Sequence, residues 1–288
     1  MSAGRPGTDR ALAGGPELRV VGNDVVDLTA ARVRGRAADR RFVARVLAPE
    51  EAEGVRAAAD PDLELWHAWA AKEAAYKVVS KLLDAPPVFV HRAFRVRWDD
   101  ATGRAGEAPH GHDREAPGGS TDTRRGRVTW EGHEVRVRAG LRRDGGALEV
   151  VALPDGYEGV HPRSAVEPLD RPGAPWCGPL QELRRALGDR ELDAVHSRTS
   201  AAVRIGARMA AADELGVAAA RLEIVCRPGP LGRRPPTLFL DGVPAPLDVS
   251  LSHDGPWIAW ALLARPAVAP SDSAIPDPAS KSSRRPAR

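Results

Sequence analysis

The 288-residue sequence is poor in cysteine and in aromatic residues, and each shortage narrows the class of protein. Its two cysteines, Cys177 and Cys226, form neither a Cys-x-x-Cys pair nor a cluster with the spacing of metal ligands. A disulfide framework and a thiolate zinc site are therefore excluded, and we expect reduced thiols. Only 5% of the residues are aromatic, but seven of these are tryptophans, so bulky apolar surface is concentrated at few positions.

Long apolar runs are also missing. No window approaches the ~18 consecutive apolar residues that a membrane-spanning helix needs. The first sixteen residues contain Gly, Pro and Arg without the apolar stretch of a signal peptide. The sequence therefore predicts a soluble, cytoplasmic protein without a membrane partner.

The chain before residue 271 has no strong excess of positive or negative charge. The formal net charge is +3 and the pI is about 9.2, but residues 271–288 alone contribute +2 of that excess. A nucleic-acid-binding protein is one alternative, motivated by the pI and by the tail SKSSRRPAR (280–288). No aromatic-basic stacking surface or known reader motif accompanies that tail, so we expect no nucleic-acid partner.

Hydrophobic periodicity predicts an α+β protein of two pseudo-symmetric lobes, each a long helix packed on a small, mainly antiparallel sheet. The long helices are expected at 62–83, ended by Pro86-Pro87, and at 197–216, with Ser197 as N-cap and Gly216 as the stop. Shorter helices are expected at 40–47 and 179–189. The segments that alternate with period two, and so predict strands, are 17–28, 93–98, 127–132, 133–140, 147–153, 221–228, 237–242, 246–253 and 257–264.

Composition divides the chain into five parts with a long internal loop at 99–126. The predicted parts are a disordered segment at 1–17, a first lobe at 18–153, a linker at 154–196, a second lobe at 197–265 and a disordered tail at 266–288.

The first pattern with chemical content lies on the predicted helix 62–83. Trp66, Trp69, Glu73 and Lys77 fall on one face, which begins with two indoles and ends with a carboxylate and an ammonium. One interpretation is a surface ion pair at i,i+4, worth ~0.3–0.5 kcal/mol. Because the tryptophans must face the core, Glu73 and Lys77 are expected at the edge of the core instead. At that position they can form part of a functional site.

A second pattern is the acid inside the apolar segment VGNDVVDL (21–28). Asp24 shares a strand face with Val26 and interrupts a run of valines, and a buried acid needs a partner. The partner is either an arginine in a structural ion pair or Mg²⁺, whose ligands are oxygens completed by water and phosphate. Gly22 allows another group to approach the backbone closely. Asp27 points the other way and is expected to cap the following turn.

The third pattern, DVSLSHDG (248–255), ends a predicted strand with Ser252-His253. Adjacent residues of a strand point to opposite faces, so a nucleophile–base pair is not expected. A hydroxyl and an imidazole contacting a phosphate monoester is one reading, and a hairpin turn with an incidental histidine is the other.

Together the three segments resemble the 4′-phosphopantetheinyl transferases. Members of this family carry a Gly-x-Asp strand and a Trp/Phe-x-x-Lys-Glu-Ala-x-x-Lys helix, which VGNDVVDL (21–28) and WAAKEAAYK (69–77) match. SLSHDG (250–255) corresponds to their Ser-His segment, Arg198-Thr199 to an Arg-Thr helix start, and GRRP (232–235) approximates a Gly-Lys/Arg-Pro turn. The resemblance covers roughly 18–153 and 197–264.

The resemblance implies an enzyme in which a serine hydroxyl of an acidic apo acyl or peptidyl carrier protein attacks the β-phosphorus of coenzyme A. Phosphopantetheine is transferred and 3′,5′-ADP is released. Asp24 and Glu73 would ligate Mg²⁺, and Glu73 would also be the base, directly or through a water. Lys77 would contact the phosphates or assist proton transfer.

The same resemblance assigns the coenzyme A contacts. Ser252, His253 and Arg198 would hold its 3′-phosphate, and Arg234 would lie near the adenine. A non-catalytic relative that binds coenzyme A or a carrier protein is a second alternative. The presence of Asp24, Glu73 and Lys77 argues against it.

Two features depart from the usual large, single-chain members. Those enzymes have a second acid two residues after the first aspartate, where this chain has Val26; small carrier-protein synthases lack that acid too. The order of the halves is also reversed, because the Ser-His half comes last here. Nearby termini would make such a permutation physically tolerable.

Overall fold

The computed structural model describes residues 19–83, 86–99, 123–157, 159–229 and 232–265. It is a mixed α+β structure in which helices pack on several antiparallel sheets, as predicted. The helices are α1 (Arg40–Val46), α2 (Pro49–Ala57), α3 (Pro61–Leu82), α4 (Leu180–Arg185), α5 (Asp189–Leu192) and α6 (Arg198–Leu215).

Thirteen strands are present in the described ranges. They are β1 (Gly22–Asp27), β2 (Arg95–Trp98), β3 (Thr123–Trp130), β4 (His133–Leu141), β5 (Ala147–Pro154), β6 (Arg163–Pro168), β7 (Leu222–Val225), β8 (Pro228–Gly229), β9 (Gly232–Arg233), β10 (Thr237–Leu240), β11 (Val243–Pro244), β12 (Leu247–Asp254) and β13 (Trp257–Ala264).

The first sheet is antiparallel, with the order β1-β5-β4-β3-β2, and α3 packs across one of its faces. Alternate residues of β1, β4 and β5 point toward the helix and form the apolar surface on which it packs. Gly22 makes this packing possible, because a Cβ there would lie 2.1 Å from the carbonyl oxygen of Ala74. The close approach expected at Gly22 is thus that of the α3 backbone.

The second helix, α6, packs on the three-stranded sheet β12-β13-β6 and forms a separate apolar core. Helix α6 begins and ends at the capping residues that the sequence predicted. The Ser197 hydroxyl accepts a hydrogen bond from the Ser200 N–H, and Gly216 ends the helix in the left-handed conformation with φ 65°. A further sheet, β11-β10-β7, and the small hairpin β8-β9 complete this part.

Helix α2 was not predicted; its first residue is Pro49, a position where the missing N–H costs nothing. Residues 154–196, predicted as a linker with a helix at 179–189, contain α4, α5 and the unpredicted strand β6, which pairs with β13. The expected disordered ends lie outside the described residues, as does most of the expected loop 99–126. No described helix is long and apolar enough to cross a membrane.

The edge strand β1 is joined to β12 by side chains rather than by backbone pairing. An edge strand leaves every second N–H group without a partner in its own sheet, and buried N–H groups need one. Four alternate side chains of β12 accept these bonds at a constant sequence offset, so the two strands run in the same direction. The pairs of this side-chain ladder are Val21 with Asp248 (2.8 Å), Asn23 with Ser250 (3.0 Å), Val25 with Ser252 (3.3 Å) and Asp27 with Asp254 (2.8 Å).

Two lysines of α3 satisfy carbonyl groups of both strands in the same way. Lys77 Nζ donates to the carbonyl oxygens of Asn23 (2.5 Å) and Leu251 (3.3 Å). Lys81 Nζ donates to those of Val21 and Val249, each at 2.7 Å. One turn of helix advances about as far as two residues of strand, so lysines four residues apart meet carbonyls two residues apart.

Candidate active site

Asp24 lies on the face of β1 that points toward α3, the same face as Val26, which packs in the core beneath that helix. Its Oδ1 accepts a hydrogen bond from Ser252 Oγ at 2.8 Å and lies 3.3 Å from Lys77 Nζ. The cation beside Asp24 is therefore a lysine of the matched helix motif and not an arginine. The segments around Asp24, Lys77 and Ser252 thus meet at one point of the fold.

The pKa of Asp24 reports a second negative charge nearby. The pKa of this carboxyl is raised from an ordinary 3.8 to about 6, chiefly by burial and also by the charge of Glu73, against the lowering effect of Lys77 and of the Ser252 hydrogen bond. The negative charge of Glu73 at Asp24 favours a bound cation.

Glu73 lies one helical turn before Lys77 on α3, partly exposed to solvent. Its Oε1 lies 3.1 Å from Nε2 of His91, which belongs to a short 3₁₀ turn at His91–Ala93. The His91 ring is packed between Trp69, with ring centroids 4.1 Å apart, and Phe89, 4.2 Å apart. Nothing in the spacing of the sequence indicated His91, which follows Glu73 by 18 residues beyond Pro86-Pro87.

The first lysine of the KEA-x-x-K motif is structural. Lys72 is fully buried, and its Nζ donates to the Val46 carbonyl oxygen at 3.0 Å and to Glu51 Oε2 at 2.6 Å. It thereby fixes α3 against the end of α1 and the first turn of α2. The motif therefore combines one lysine that anchors the helix with another, Lys77, that faces Asp24.

Ser252 and His253 point to opposite sides of β12, as predicted. The Ser252 hydroxyl donates to Asp24 and accepts from the Val25 N–H, so it is engaged within the protein. His253 reaches the surface but is partly buried, and this burial, together with the positive charges of Lys77 and Arg204, lowers its pKa. Arg204, a buried residue of α6 that the sequence did not single out, therefore contributes positive potential here.

A cavity of about 470 Å³ opens between α3 and the β8–β9 hairpin. Its wall carries four cationic side chains together with apolar and aromatic groups, among them Tyr76 and Phe89. The cations are Lys77, Lys81, Arg233 and Arg234. Lys77 lines this cavity and also contacts Asp24, so it lies between the cavity and that carboxylate.

Arg198 lies elsewhere. Its Nε donates to the Gly178 carbonyl oxygen at 2.8 Å, and its guanidinium forms an ion pair with Asp170. Within the part of the chain that the structure describes, no hydrogen bond joins Arg198 to Ser252 or His253. Arg198, at the start of α6, is therefore not in direct contact with the Ser-His end of β12.

The donor set fits Mg²⁺. Asp24 and Glu73 supply two carboxylates that could hold the ion, and the described residues contain no group of three or more His, Cys, Asp or Glu side chains that could do so. Mg²⁺ is commonly bound by one or two carboxylates, with water and substrate phosphates completing the shell.

Residues 20–116 match a family model described as the 4′-phosphopantetheinyl transferase superfamily. This match starts just before β1 and includes α3, so both Asp24 and the KEA-x-x-K helix fall within it. A search of curated proteins found no match. The first part of the chain is thus similar to this superfamily.

Proposed function

We propose that the chain transfers 4′-phosphopantetheine from coenzyme A to a serine of an apo carrier protein, with Mg²⁺ as cofactor. The observation that carries this proposal is the meeting of Asp24, Lys77 and the Glu73 charge beside a cationic cavity. In the reaction a bond forms between the serine oxygen and the β-phosphorus of coenzyme A. The bond from that phosphorus to 3′,5′-ADP breaks, and the serine proton passes to a base.

Asp24 and Glu73 are the proposed Mg²⁺ ligands. Bound there, Mg²⁺ would neutralise charge on the pyrophosphate, which is the main requirement of phosphoryl-type transfer. Glu73 is the proposed base because its carboxylate is partly exposed, whereas that of Asp24 is buried against Ser252. Lys77 donates to three acceptors of the protein, which favours a role in fixing Asp24 and facing the phosphates over a role in proton transfer.

The cavity is the proposed coenzyme A site. Its cationic wall suits phosphates, and its aromatic and apolar lining suits the adenine and the pantetheine arm. Arg234 stays a proposed adenine contact, and His253 a proposed 3′-phosphate contact beside the positive charge of Arg204. Ser252 is engaged by Asp24, so we propose that it orients this ligand. Arg198 would first have to leave Asp170 to reach a phosphate.

A second surface supports an acidic carrier protein as the partner. A groove of about 1100 Å³ lies between α1, α2 and the segment at residues 90–95, beside His91. Its floor is apolar, with Val43 and Leu47, and its rim carries positive charge from Arg40, Arg56, Arg92 and Arg95. Such a groove would attract the acidic, amphipathic surface of a carrier.

We also propose that the two sheet–helix units are related by pseudo-symmetry. Each unit contributes one strand, β1 or β12, to the side-chain ladder, and each strand is backed by a long helix. The two strands run in the same direction along that ladder.

The test is incubation with coenzyme A, Mg²⁺ and an apo carrier protein, with mass spectrometry of the carrier. The wild-type chain should add one phosphopantetheine, and Asp24→Asn or Glu73→Gln should reduce the rate by at least about 10²-fold, the usual contribution of a positioned base. Ser200→Ala, which removes hydrogen bonds between the Ser200 hydroxyl and the backbone of His196 and Ser197 at the start of α6, is the control variant. Full activity in either carboxylate variant would refute the assigned roles. Coenzyme A binding without transfer by the wild type would favour the non-catalytic alternative.

A further inference from the structure

His91 is held in place from both sides by aromatic rings. Phe42 of α1 stacks on Trp69 with centroids 5.6 Å apart, Trp69 and Phe89 flank His91, and Phe89 stacks on Tyr76 at 4.4 Å. We call these five rings the aromatic stack. It extends from α1 past Glu73 to the wall of the cavity, which Tyr76 and Phe89 line.

The stack leaves the imidazole little freedom, and this affects the neighbouring carboxylate. A glutamate side chain has several rotatable bonds, and ordering it costs up to ~2 kcal/mol of rotamer entropy. Glu73 is partly exposed at the helix edge, where packing alone does not select one conformation. An ionised carboxylate only accepts hydrogen bonds, so Nε2–H of the fixed ring is the donor to Oε1 across 3.1 Å.

Asp24 is fixed by comparable means. Ser252 donates to it from one side and Lys77 from another, so its orientation is set before any ligand binds. Among the hydrogen bonds of the described residues, the contact with His91 is the one that orients the carboxylate of Glu73. Without this contact, one of the two proposed ligands would be fixed and the other would be free to rotate.

We propose that His91 is a positioning residue, which holds the Glu73 carboxylate in the conformation that binds the divalent cation. This inference rests on the proposed function, since Glu73 is a ligand only under that assignment. Groups that orient metal ligands typically contribute 10–100-fold to metal affinity or activity. His91 touches neither substrate nor cation in this proposal; it acts through Glu73.

Three variants separate the hydrogen bond from the packing of the ring. His91→Phe keeps an aromatic ring between Trp69 and Phe89 but removes the donor. His91→Gln places an amide N–H where Nε2 was and keeps the donor. His133→Phe is the matched control, because His133 also stacks on a tryptophan, Trp130, at the β3–β4 turn.

Two readouts are measured on the full chain. The first is the affinity for Mn²⁺ alone, followed by electron paramagnetic resonance in the absence of coenzyme A and carrier. The second is kcat and KM for coenzyme A in the transfer assay. We expect His91→Phe to weaken Mn²⁺ binding and lower kcat by about 10–100-fold with KM for coenzyme A little changed. His91→Gln should recover most of both losses, and His133→Phe should match the wild type.

The outcomes distinguish this inference from the proposed function. A wild-type chain that binds Mn²⁺ and a His91→Phe variant that binds it equally well would overturn the role of His91 alone. Loss of binding in His91→Gln as large as in His91→Phe would have the same meaning, because packing and not the donor would then matter. A wild-type chain that neither binds Mn²⁺ nor modifies a carrier would remove both proposals. If His91→Phe does not fold, His91→Asn, whose amide falls short of Glu73, replaces it.

Discussion

At the scale of single residues, Glu149 on β5 is a second acid whose pKa is raised, and it lies outside the candidate site. It occupies the face of the first sheet opposite α3, and its Oε1 is shielded from solvent without a hydrogen-bond partner among the described residues. Burial raises the pKa of Glu149 from an ordinary 4.5 to about 7, against the lowering effect of Ser164, Arg138 and Arg142. The folded protein therefore holds this proton more tightly than the unfolded chain does.

This shift predicts how stability depends on pH. Between pH 4.5 and about pH 7 the unfolded chain ionises Glu149 while the folded chain keeps it neutral, so the free energy of unfolding falls as pH rises. The decrease in the free energy of unfolding is complete above the pKa of the folded state and amounts to ~3 kcal/mol. Glu149→Gln should remove it, and the variant should be the more stable protein at about pH 8 but not at pH 4.5. Urea unfolding at both values measures this, and a difference that is independent of pH would contradict it.

At the scale of elements, the packing of α3 on β1 brings Lys77 to Asp24. The helix backbone comes so close to the strand that position 22 has no room for a Cβ. A side chain there would push α3 away, and Lys77 and Lys81 would lose their carbonyl partners on β1. The candidate site therefore depends on a glycine that has no chemical function of its own.

We predict that Gly22→Ala destabilises the protein by at least ~1–3 kcal/mol, because the neighbouring atom is backbone and cannot rotate away. The Asp24–Lys77 contact should be lost with it, so the transfer rate should fall further than stability alone explains. Thermal unfolding and the carrier assay measure the two effects.

Gly54 on α2 is the matched control for this substitution. An added Cβ there meets open space, so Gly54→Ala should stabilise the helix by ~0.5–1 kcal/mol and leave activity unchanged. Equal stability of Gly22→Ala and the wild type would show that α3 does not rest on β1 as described.

At the scale of the whole molecule, the side-chain ladder and two lysines join the two sheets. Lys81 lies at the Val21–Asp248 end of this junction, with only 6% of its side chain exposed, and its Nζ is 2.7 Å from Asp248 Oδ2. Asp248 also accepts from the Val21 N–H and from Arg265 at 2.8 Å. The buried Lys81–Asp248 ion pair thus connects β1, β12 and α3 to one another.

Removing one partner of this pair should be costly. Lys81→Met leaves Asp248 without its nearest buried cation and two carbonyl oxygens without a donor, so we predict a loss of ~3–5 kcal/mol. Adding Asp248→Asn should recover part of it, because the amide oxygen can still accept from Val21 and no buried charge is left unpaired. Arg127→Ala, which breaks exposed ion pairs with Glu134 and Asp155, should change stability far less, because solvent screens exposed charges. Chemical unfolding of the four proteins checks this order, and a loss in Lys81→Met no larger than in Arg127→Ala would contradict it.

The sequence by itself determined the two long helices and most of the strands. Alternation and capping predicted the long helices to within about two residues, including Ser197 and Gly216 as the ends of α6. These features are local: periodicity and cap chemistry act within a few residues of chain. The placement of Glu73 and Lys77 on one helix face, and of Asp24 on the strand face of Val26, followed from the same rules.

Only the tertiary structure decided which residues contact Asp24 and Glu73 and which strands pair. The donors to Asp24 come from residues more than fifty positions away in Lys77 and 228 positions away in Ser252. The placement of His91 against Glu73 depends on a turn after α3 and on rings from α1, and β6 is a strand because β13 offers it an edge. Such contacts form when distant surfaces bury each other, and a pattern of period two or 3.6 carries no information about which surfaces those are.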